Sequence, residues 1–135
     1  MKYPEQESPQ LEFKREIPKN SQIIKSIIGF CNQKGGRLII GIGDDGTIVG
    51  VDETTVHATL EYIEKSIAEA SHPPITTHAY SQRIMDKIVL IIEVSEGMNK
   101  PYFVKSEGVA QGTYLRLGRS TLKATQDMIT ELQWE

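Results

Sequence analysis

The sequence predicts an α+β fold, a single mixed β-sheet with about three helices packed on it. Segments with the two-residue period of strands and segments with the 3.6-residue period of helices follow one another along the chain, beginning β-α-β-β-α. Several strands are neighbours joined by short turns, which is typical of antiparallel pairs and not of a doubly wound sheet. With 135 residues, the chain has room for one domain, spanning residues 1–135.

The first strand and the first helix have clear patterns. Apolar and charged residues alternate over residues 11–17, the pattern of a half-buried strand. Isoleucines at helical spacing then predict a helix over residues 22–31. The helix ends before Gly35 and Gly36, because glycine readily takes the left-handed conformation that closes a helix.

A nearly all-apolar run follows and predicts a central strand over residues 37–43, buried on both faces. A turn at residues 44–46 returns the chain as a hairpin strand over residues 47–51. Gly41, Gly43 and Gly46 also match the pattern GxGxxG. A dinucleotide-binding loop, however, needs a helix after it to hold the pyrophosphate. Because β-branched residues follow and two aspartates lie in the turn, we interpret this segment as a hairpin.

The second half of the chain begins with another helix, whose apolar residues recur at helical spacing. The run of His72, Pro73 and Pro74 ends it. Thr125 can cap a last helix. Further strands are predicted over residues 75–83, 87–94, 102–104 and 113–117.

The composition excludes two classes of protein, membrane-spanning proteins and polybasic proteins. The formal net charge is −3 and the mean hydropathy −0.32. No apolar run approaches the ~20 residues that a membrane-spanning helix needs, and the charge excludes a polybasic protein. The N-terminus lacks the apolar core of a secretory signal, and Cys31 is the single cysteine. A cytoplasmic protein is therefore expected.

Charge is nonetheless segregated along the chain. Residues 44–69 contain seven acids and one base, whereas residues 100–123 contain five bases and one acid. Guanidinium, amide and hydroxyl donors around Gly118 could bind phosphates. For Tyr102 the alternative is a place in the core, and for Arg116 an ion pair inside the fold. The candidate nucleic-acid contacts are Lys14, Lys34, Lys100, Tyr102, Arg116, Arg119 and Ser120.

Five motifs occur in order: residues 7–14 (ESPQLEFK), residues 30–42 (FCNQKGGRLIIGI), residues 44–51 (DDGTIVGV), residues 100–102 (KPY) and residues 114–121 (YLRLGRST). Together they closely resemble the Schlafen AlbA-like domain, over essentially the whole chain. In bacteria and archaea, the resemblance implies a DNA-binding module at the N-terminus of predicted transcriptional regulators.

In animal Schlafen proteins, a related core cleaves structured RNA with three carboxylates and a divalent metal. The resemblance carries these acids onto Glu7, Glu12 and Asp44. Gly43 stands where an acid is common, so Asp45 is the alternative third ligand. Oxygen-only ligands favour Mg²⁺ or Mn²⁺.

The same acids have a simpler interpretation as solvated residues at a strand start and a turn. Glu7 and Glu12 would face opposite sides of one straight strand, so they converge only if the chain bends at Ser8 and Pro9.

Three hypotheses follow. The first is a nucleic-acid-binding domain with DNA or RNA as partner, serving as the DNA-binding module of a transcriptional regulator. The second is a Mg²⁺- or Mn²⁺-dependent endoribonuclease. The third is an interaction domain that forms a homodimer through an exposed sheet edge. Whether the chain is an enzyme stays open at this point.

Overall fold

The computed structural model describes all residues from 1 to 135, and it confirms the α+β class. The elements are β1 (Leu11–Lys14), α1 (Asn20–Cys31), β2 (Gly36–Ile40), α2 (Val56–Ala70), β3 (Ser71–His72), β4 (His78–Ile84), β5 (Lys87–Val94), β6 (Phe103–Val104), α3 (Gly108–Gly112), β7 (Tyr114–Leu117), β8 (Ser120–Lys123) and α4 (Gln126–Gln133). No helix is long and apolar enough to cross a membrane.

The main sheet is mixed and has four strands in the order β1-β2-β5-β4. Strand β1 runs parallel to β2, and the remaining pairs are antiparallel. The prediction of a single sheet with about three helices needs correction. Two small sheets, β3–β6 and β7–β8, stand apart from the main one, and the short α3 is a fourth helix. Strand β7 does not extend the sheet at β1 because the backbone of Ser8 and the side chains of Glu7 and Arg116 already bond outward backbone groups of β1, as described below.

Each face of the main sheet carries an apolar cluster. The larger cluster lies between the sheet and the two long helices, with Ile27 and Phe30 of α1 packed near Leu38 and Leu90. Cys31 belongs to it, and burial raises the pKa of its thiol to about 11. The smaller cluster, which includes Phe13 and Ile39, lies on the opposite face. The N-terminal residues cover part of that face, where Tyr3 packs edge-on against Phe13 with ring centroids 5.6 Å apart.

Several boundaries differ from the sequence expectations. Strand β1 ends at Lys14, and residues 15–17 are exposed. The expected return strand over residues 47–51 is reduced to one bridge between Ile42 and Ile48, because the N–H groups of Val49 and Gly50 both donate to the Gly41 carbonyl and do not continue a ladder. The N-terminal residues pair with the same segment, with Lys2 opposite Thr47. Strands β3 and β8 and helix α3 were not predicted, because their few residues of mixed polarity show no recognisable period.

Other expectations are confirmed. Strand β5 has the predicted bounds, and α1 and α2 lie where the helical spacing places them. Helix α4 begins after Thr125, whose hydroxyl accepts a hydrogen bond from the Met128 N–H at 3.3 Å. Such a cap satisfies a backbone donor that the first helical turn leaves unpaired.

Helix α1 divides the helical layer into two sides. It packs against β7 on one side and against α2 on the other, and α2 also contacts β4. Because β1 and β4 are the two edges of the main sheet, the β7–β8 hairpin lies beside the β1 edge and α2 lies beside the β4 edge.

Candidate nucleic-acid interface

The outer edge of β1 is capped by side chains. In the parallel pair with β2, the backbone groups of Leu11 and Phe13 point away from the sheet, since Arg37 N–H donates to the carbonyl of Gln10 and Gly41 N–H to that of Lys14. The Phe13 N–H donates to Glu7 Oε2 at 3.0 Å. Arg116 Nη2 donates to the Leu11 carbonyl at 3.3 Å. No further strand is needed to satisfy this edge.

A buried ion pair lies on the helix-facing side of β1. Glu12 is only 6% exposed, and its Oε1 accepts a hydrogen bond from Arg116 Nη1 at 2.6 Å. Its Oε2 accepts from Ser26 Oγ of α1 at 3.2 Å and lies 3.4 Å from Lys14 Nζ. Both carboxylate oxygens of Glu12 are therefore engaged by protein donors.

Arg116 is held on several sides. Its side chain is 1% exposed, and its guanidinium lies 5.3 Å from the centre of the Phe30 ring. Nη2 also donates to the Ser8 carbonyl at 3.2 Å, whereas the buried Nε has no partner. Burial lowers the pKa of Arg116 from its ordinary value, and the Glu12 carboxylate opposes that shift. The guanidinium stays charged, because its ordinary pKa is far above neutrality.

Glu7 connects the strand to the tip of the hairpin. Its Oε1 accepts from Arg119 Nη2 at 3.0 Å while its Oε2 accepts from the backbone of β1. The chain bends between Glu7 and β1, where Ser8 and Leu11 exchange two backbone hydrogen bonds. This bend lets Glu7 and Glu12 both reach the β7–β8 hairpin, although they contact different arginines on it.

The third acid, Asp44, shares a groove with Glu7 but not with Glu12. Asp44 is exposed in the turn after β2 and lines a groove of about 350 Å³ together with Glu7 and Arg119. Glu12 does not line this groove. Asp45 instead accepts from the N–H and the hydroxyl of Thr47, and these bonds hold the pKa of its carboxyl below the ordinary value.

The residues present do not fit a three-carboxylate metal site in this arrangement. No group of three or more His, Cys, Asp or Glu side chains is placed to hold a metal ion. The oxygens of Glu12 that would face a metal are occupied by Arg116 and Ser26. No reaction step through a metal is therefore derived for this chain.

Three of the predicted nucleic-acid contacts lie inside the fold. Arg116 forms the ion pair described above. Tyr102 is 6% exposed, and its hydroxyl accepts from the Asn99 N–H. The side chain of Lys100 is 5% exposed and its Nζ donates to Glu96 and Glu135. Their burial removes these side chains from the surface that a phosphate could reach, so for Arg116 and Tyr102 the structure favours the interior alternative.

The other predicted contacts are accessible. The side chain of Lys34 is 76% exposed and that of Arg119 is 69% exposed. Ser120 is exposed at the start of β8, and Lys14 is partly exposed at the end of β1.

Packing adds two bases that the sequence did not single out as contacts. Lys25 of α1 places its Nζ 5.3 Å from the centre of the Tyr114 ring on β7. Lys123 lies directly opposite Tyr114 on β8 and is exposed. Lys123 was counted in the basic segment, but only the packing of α1 on the hairpin shows that Lys25 lies near it. We call Lys14, Lys25, Arg119 and Lys123 the basic edge.

The opposite edge of the sheet has the opposite charge. Helix α2 and the residues just before it carry five acids and one base. Glu64 Oε2 accepts from the Ala79 N–H of β4 at 2.9 Å. Arg83 near the end of β4 is paired with Glu53 at 3.1 Å. The acids of α2 and the exposed bases of the β7–β8 hairpin thus lie at opposite edges of one sheet.

Comparisons with known proteins agree with this architecture. A family model described as Schlafen, AlbA_2 matches residues 7–125. The DIP2311 protein from Corynebacterium diphtheriae shares the fold with a TM-score of 0.67 at 20% identity, over 93% of this chain and 24% of that one. This chain therefore spans about a quarter of that protein's length.

A second structure is the N-terminal domain of a protein from Nitrosomonas europaea described as ATP-dependent DNA helicase RecG-related. It matches with a TM-score of 0.63 at 24% identity, over 88% of this chain and 85% of that one. Both likenesses show a common fold. A search of curated protein sequences finds no significant match.

Proposed function

The chain belongs to the Schlafen, AlbA_2 family, and from this premise we propose that it is a nucleic-acid-binding domain whose contact surface is the basic edge. The observation that carries the proposal is the separation of charge between the two edges of the sheet. Exposed bases gather where the hairpin meets β1 and α1, and acids gather along α2. A polyanion is attracted to the first surface and repelled by the second.

The hairpin has a shape that suits this role. It is a two-stranded ribbon of four-residue strands, and such a ribbon fits the major groove of DNA. Gly118 takes a φ of +60° at the turn, so the chain reverses tightly and presents Arg119 and Ser120 side by side. A guanidinium and a hydroxyl at a ribbon tip can donate hydrogen bonds to phosphate oxygens.

We further propose that the nucleic acid is DNA and that the domain serves a transcriptional regulator. The support is the family, the ribbon shape of the hairpin, and the structural neighbour described as related to a DNA helicase. The Corynebacterium protein, in which the matched region is about a quarter of the chain, supports a module that works beside other domains.

A binding titration with matched variants tests the contact surface. Fluorescence anisotropy with labelled duplex DNA is measured at several salt concentrations for the wild type and for the triple variant Lys14→Ala, Arg119→Ala, Lys123→Ala. The control removes three exposed bases elsewhere, Lys65→Ala, Arg83→Ala and Lys87→Ala. We expect the first variant to lose affinity and to reduce the salt slope by about 0.9 for each phosphate contact removed.

The control variant should bind nearly as well as the wild type. If the two triple variants lose equal affinity, the contact surface is not the basic edge. If no nucleic acid binds even at low salt, the proposed function is wrong.

Two further experiments identify the nucleic acid that the domain binds. Selection from a pool of random duplexes should enrich a common sequence if the domain serves a regulator. Incubation with structured RNA, with Mn²⁺ or with EDTA, should leave the RNA intact. Mn²⁺-dependent cleavage that Glu12→Gln and Asp44→Asn both abolish would replace this proposal with the ribonuclease hypothesis.

A further inference from the structure

We propose that Glu7 and Glu12 are positioning residues for the basic edge and not metal ligands, because they fasten the β7–β8 hairpin to β1 through Arg119 and Arg116. The part of this inference that concerns DNA affinity rests on the proposed function. The part that concerns metal binding and the hairpin does not.

The two carboxylates already have cationic partners. Glu12 faces Arg116 at 2.6 Å and Lys14 at 3.4 Å, and Glu7 faces Arg119 at 3.0 Å. Three positive side chains surround two negative ones, so the mutual repulsion that a metal would relieve is already offset. A divalent cation brought between them would meet the three bases at short range.

Glu7 and Glu12 also lie on different sides of β1. Glu12 points to the helix-facing side, where Ser26 also bonds it. Glu7 lies along the outer edge, where it bonds the Phe13 N–H. The groove that contains Glu7 and Asp44 excludes Glu12. One ion could reach all three only if β1 or the hairpin moved.

The β7–β8 hairpin has no further strand as a partner. The β7–β8 sheet has only its own two strands, and Arg116 bonds the Ser8 and Leu11 carbonyls instead of joining a ladder. The contact between the hairpin and β1 therefore passes through the side chains of Arg116, Arg119 and the two glutamates. Together with the packing of β7 on α1, these contacts set the place at which Arg119 is presented.

A calorimetric titration with Mn²⁺ alone tests the metal half of the inference. We expect no saturable binding to the wild type. Saturable binding that Glu7→Gln or Glu12→Gln abolishes would overturn the inference. Absence of binding in all three proteins supports it.

Hydrogen exchange tests the positioning half. Glu7→Gln changes a partly exposed group and should leave the fold intact. We expect amides of residues 114–123 to exchange about threefold faster in this variant, because glutamine keeps an acceptor for the Phe13 N–H but loses the charged partner of Arg119. Amides of β5 should not change. Uniform acceleration over the whole chain, or none, would contradict a positioning role.

A charge-neutral double variant, Glu12→Gln with Arg116→Met, provides a second readout. Both groups are buried and their charges cancel, so an effect on DNA affinity reports the position of the hairpin and not the surface charge. We expect roughly threefold weaker binding, whereas the exposed pair variant Glu53→Gln with Arg83→Met should bind as the wild type does. Unchanged affinity in the first double variant would overturn the positioning role.

The two failures can be told apart. If no oligonucleotide binds the wild type, the proposed function fails. The Mn²⁺ titration and the exchange of the hairpin amides still decide whether Glu7 and Glu12 hold a metal or the hairpin.

Discussion

The two edges of the main sheet satisfy the same backbone requirement with opposite surface charge. At each edge a glutamate accepts a hydrogen bond from an outward-facing strand N–H, Glu7 from Phe13 on β1 and Glu64 from Ala79 on β4. Glu7 is itself paired with Arg119 of a basic hairpin. Glu64 belongs to an acidic helix.

The difference shows why net charge is a poor guide to this molecule. A value of −3 averages two surfaces that a polyanion would meet very differently. It also shows that the β1 edge depends on long-range ion pairs, whereas the β4 edge is closed by a helix packed against it. Substitutions at the two edges should therefore differ most where buried charge is involved.

The largest expected effect is that of Arg116→Met. The change leaves Glu12 buried without its partner, and such a loss costs about 3–5 kcal/mol in the free energy of unfolding. Urea denaturation followed by circular dichroism measures it. A loss below about 1 kcal/mol would show that the β1 edge does not depend on this ion pair.

Asn32→Ala should have the next largest effect. This fully buried side chain donates to the carbonyls of Tyr102 and Tyr114 and accepts from the Tyr102 N–H, all within 2.9 Å. Its loss leaves three buried backbone groups unpaired, and we expect a destabilisation of about 3 kcal/mol. Thermal unfolding checks this expectation by comparing the melting temperature of Asn32→Ala with that of Asn99→Ala, which changes an exposed asparagine. Equal melting temperatures for the two variants would disprove the role of Asn32.

The two capping glutamates allow a direct comparison. Glu7→Ala and Glu64→Ala each remove one acceptor from a strand N–H, so each should destabilise the fold by about 1 kcal/mol. Chemical denaturation of both variants, with Glu7→Gln and Glu64→Gln as controls that keep an acceptor, measures the costs. If only one alanine variant is destabilised, the two edges are not capped equivalently.

The smallest expected effect is that of Arg83→Met at the β4 edge. Its partner Glu53 is more than half exposed, and so is Arg83. Exposed pairs contribute only about 0–1 kcal/mol. Measured beside Arg116→Met under identical conditions, this variant completes the comparison of a buried with an exposed arginine. Equal destabilisation by the two would mean that burial does not set the cost.

The sequence predicted the elements in which the hydrophobic pattern repeats several times. The isoleucines of α1, the spacing in α2 and the apolar run of β5 each carry enough repeats to identify the element. The hairpin strand β8 was missed because four residues with mixed polarity show no pattern. The divided sheet was missed because the capping of β1 depends on Arg116, which is about a hundred residues away along the chain.

The candidate site was predicted unevenly for the same reason. Arg116 and Arg119 lie three residues apart in one glycine-containing turn segment, yet one is buried and the other exposed. Nothing local separates them, since the difference depends on Glu12 and Phe30 reaching Arg116 from other elements. Lys25 was likewise not predicted to be part of the basic edge, because the packing of α1 on β7 is a tertiary property.

The link between Glu12 and Arg116 also has a consequence for protein synthesis. The two residues are separated by 104 positions, so β1 leaves the ribosome long before the side chain that caps it. An uncapped strand edge readily pairs with other chains, and domains fold progressively from the N-terminus during translation. The period between translation of β1 and translation of β7 is therefore when the nascent chain most needs protection from aggregation.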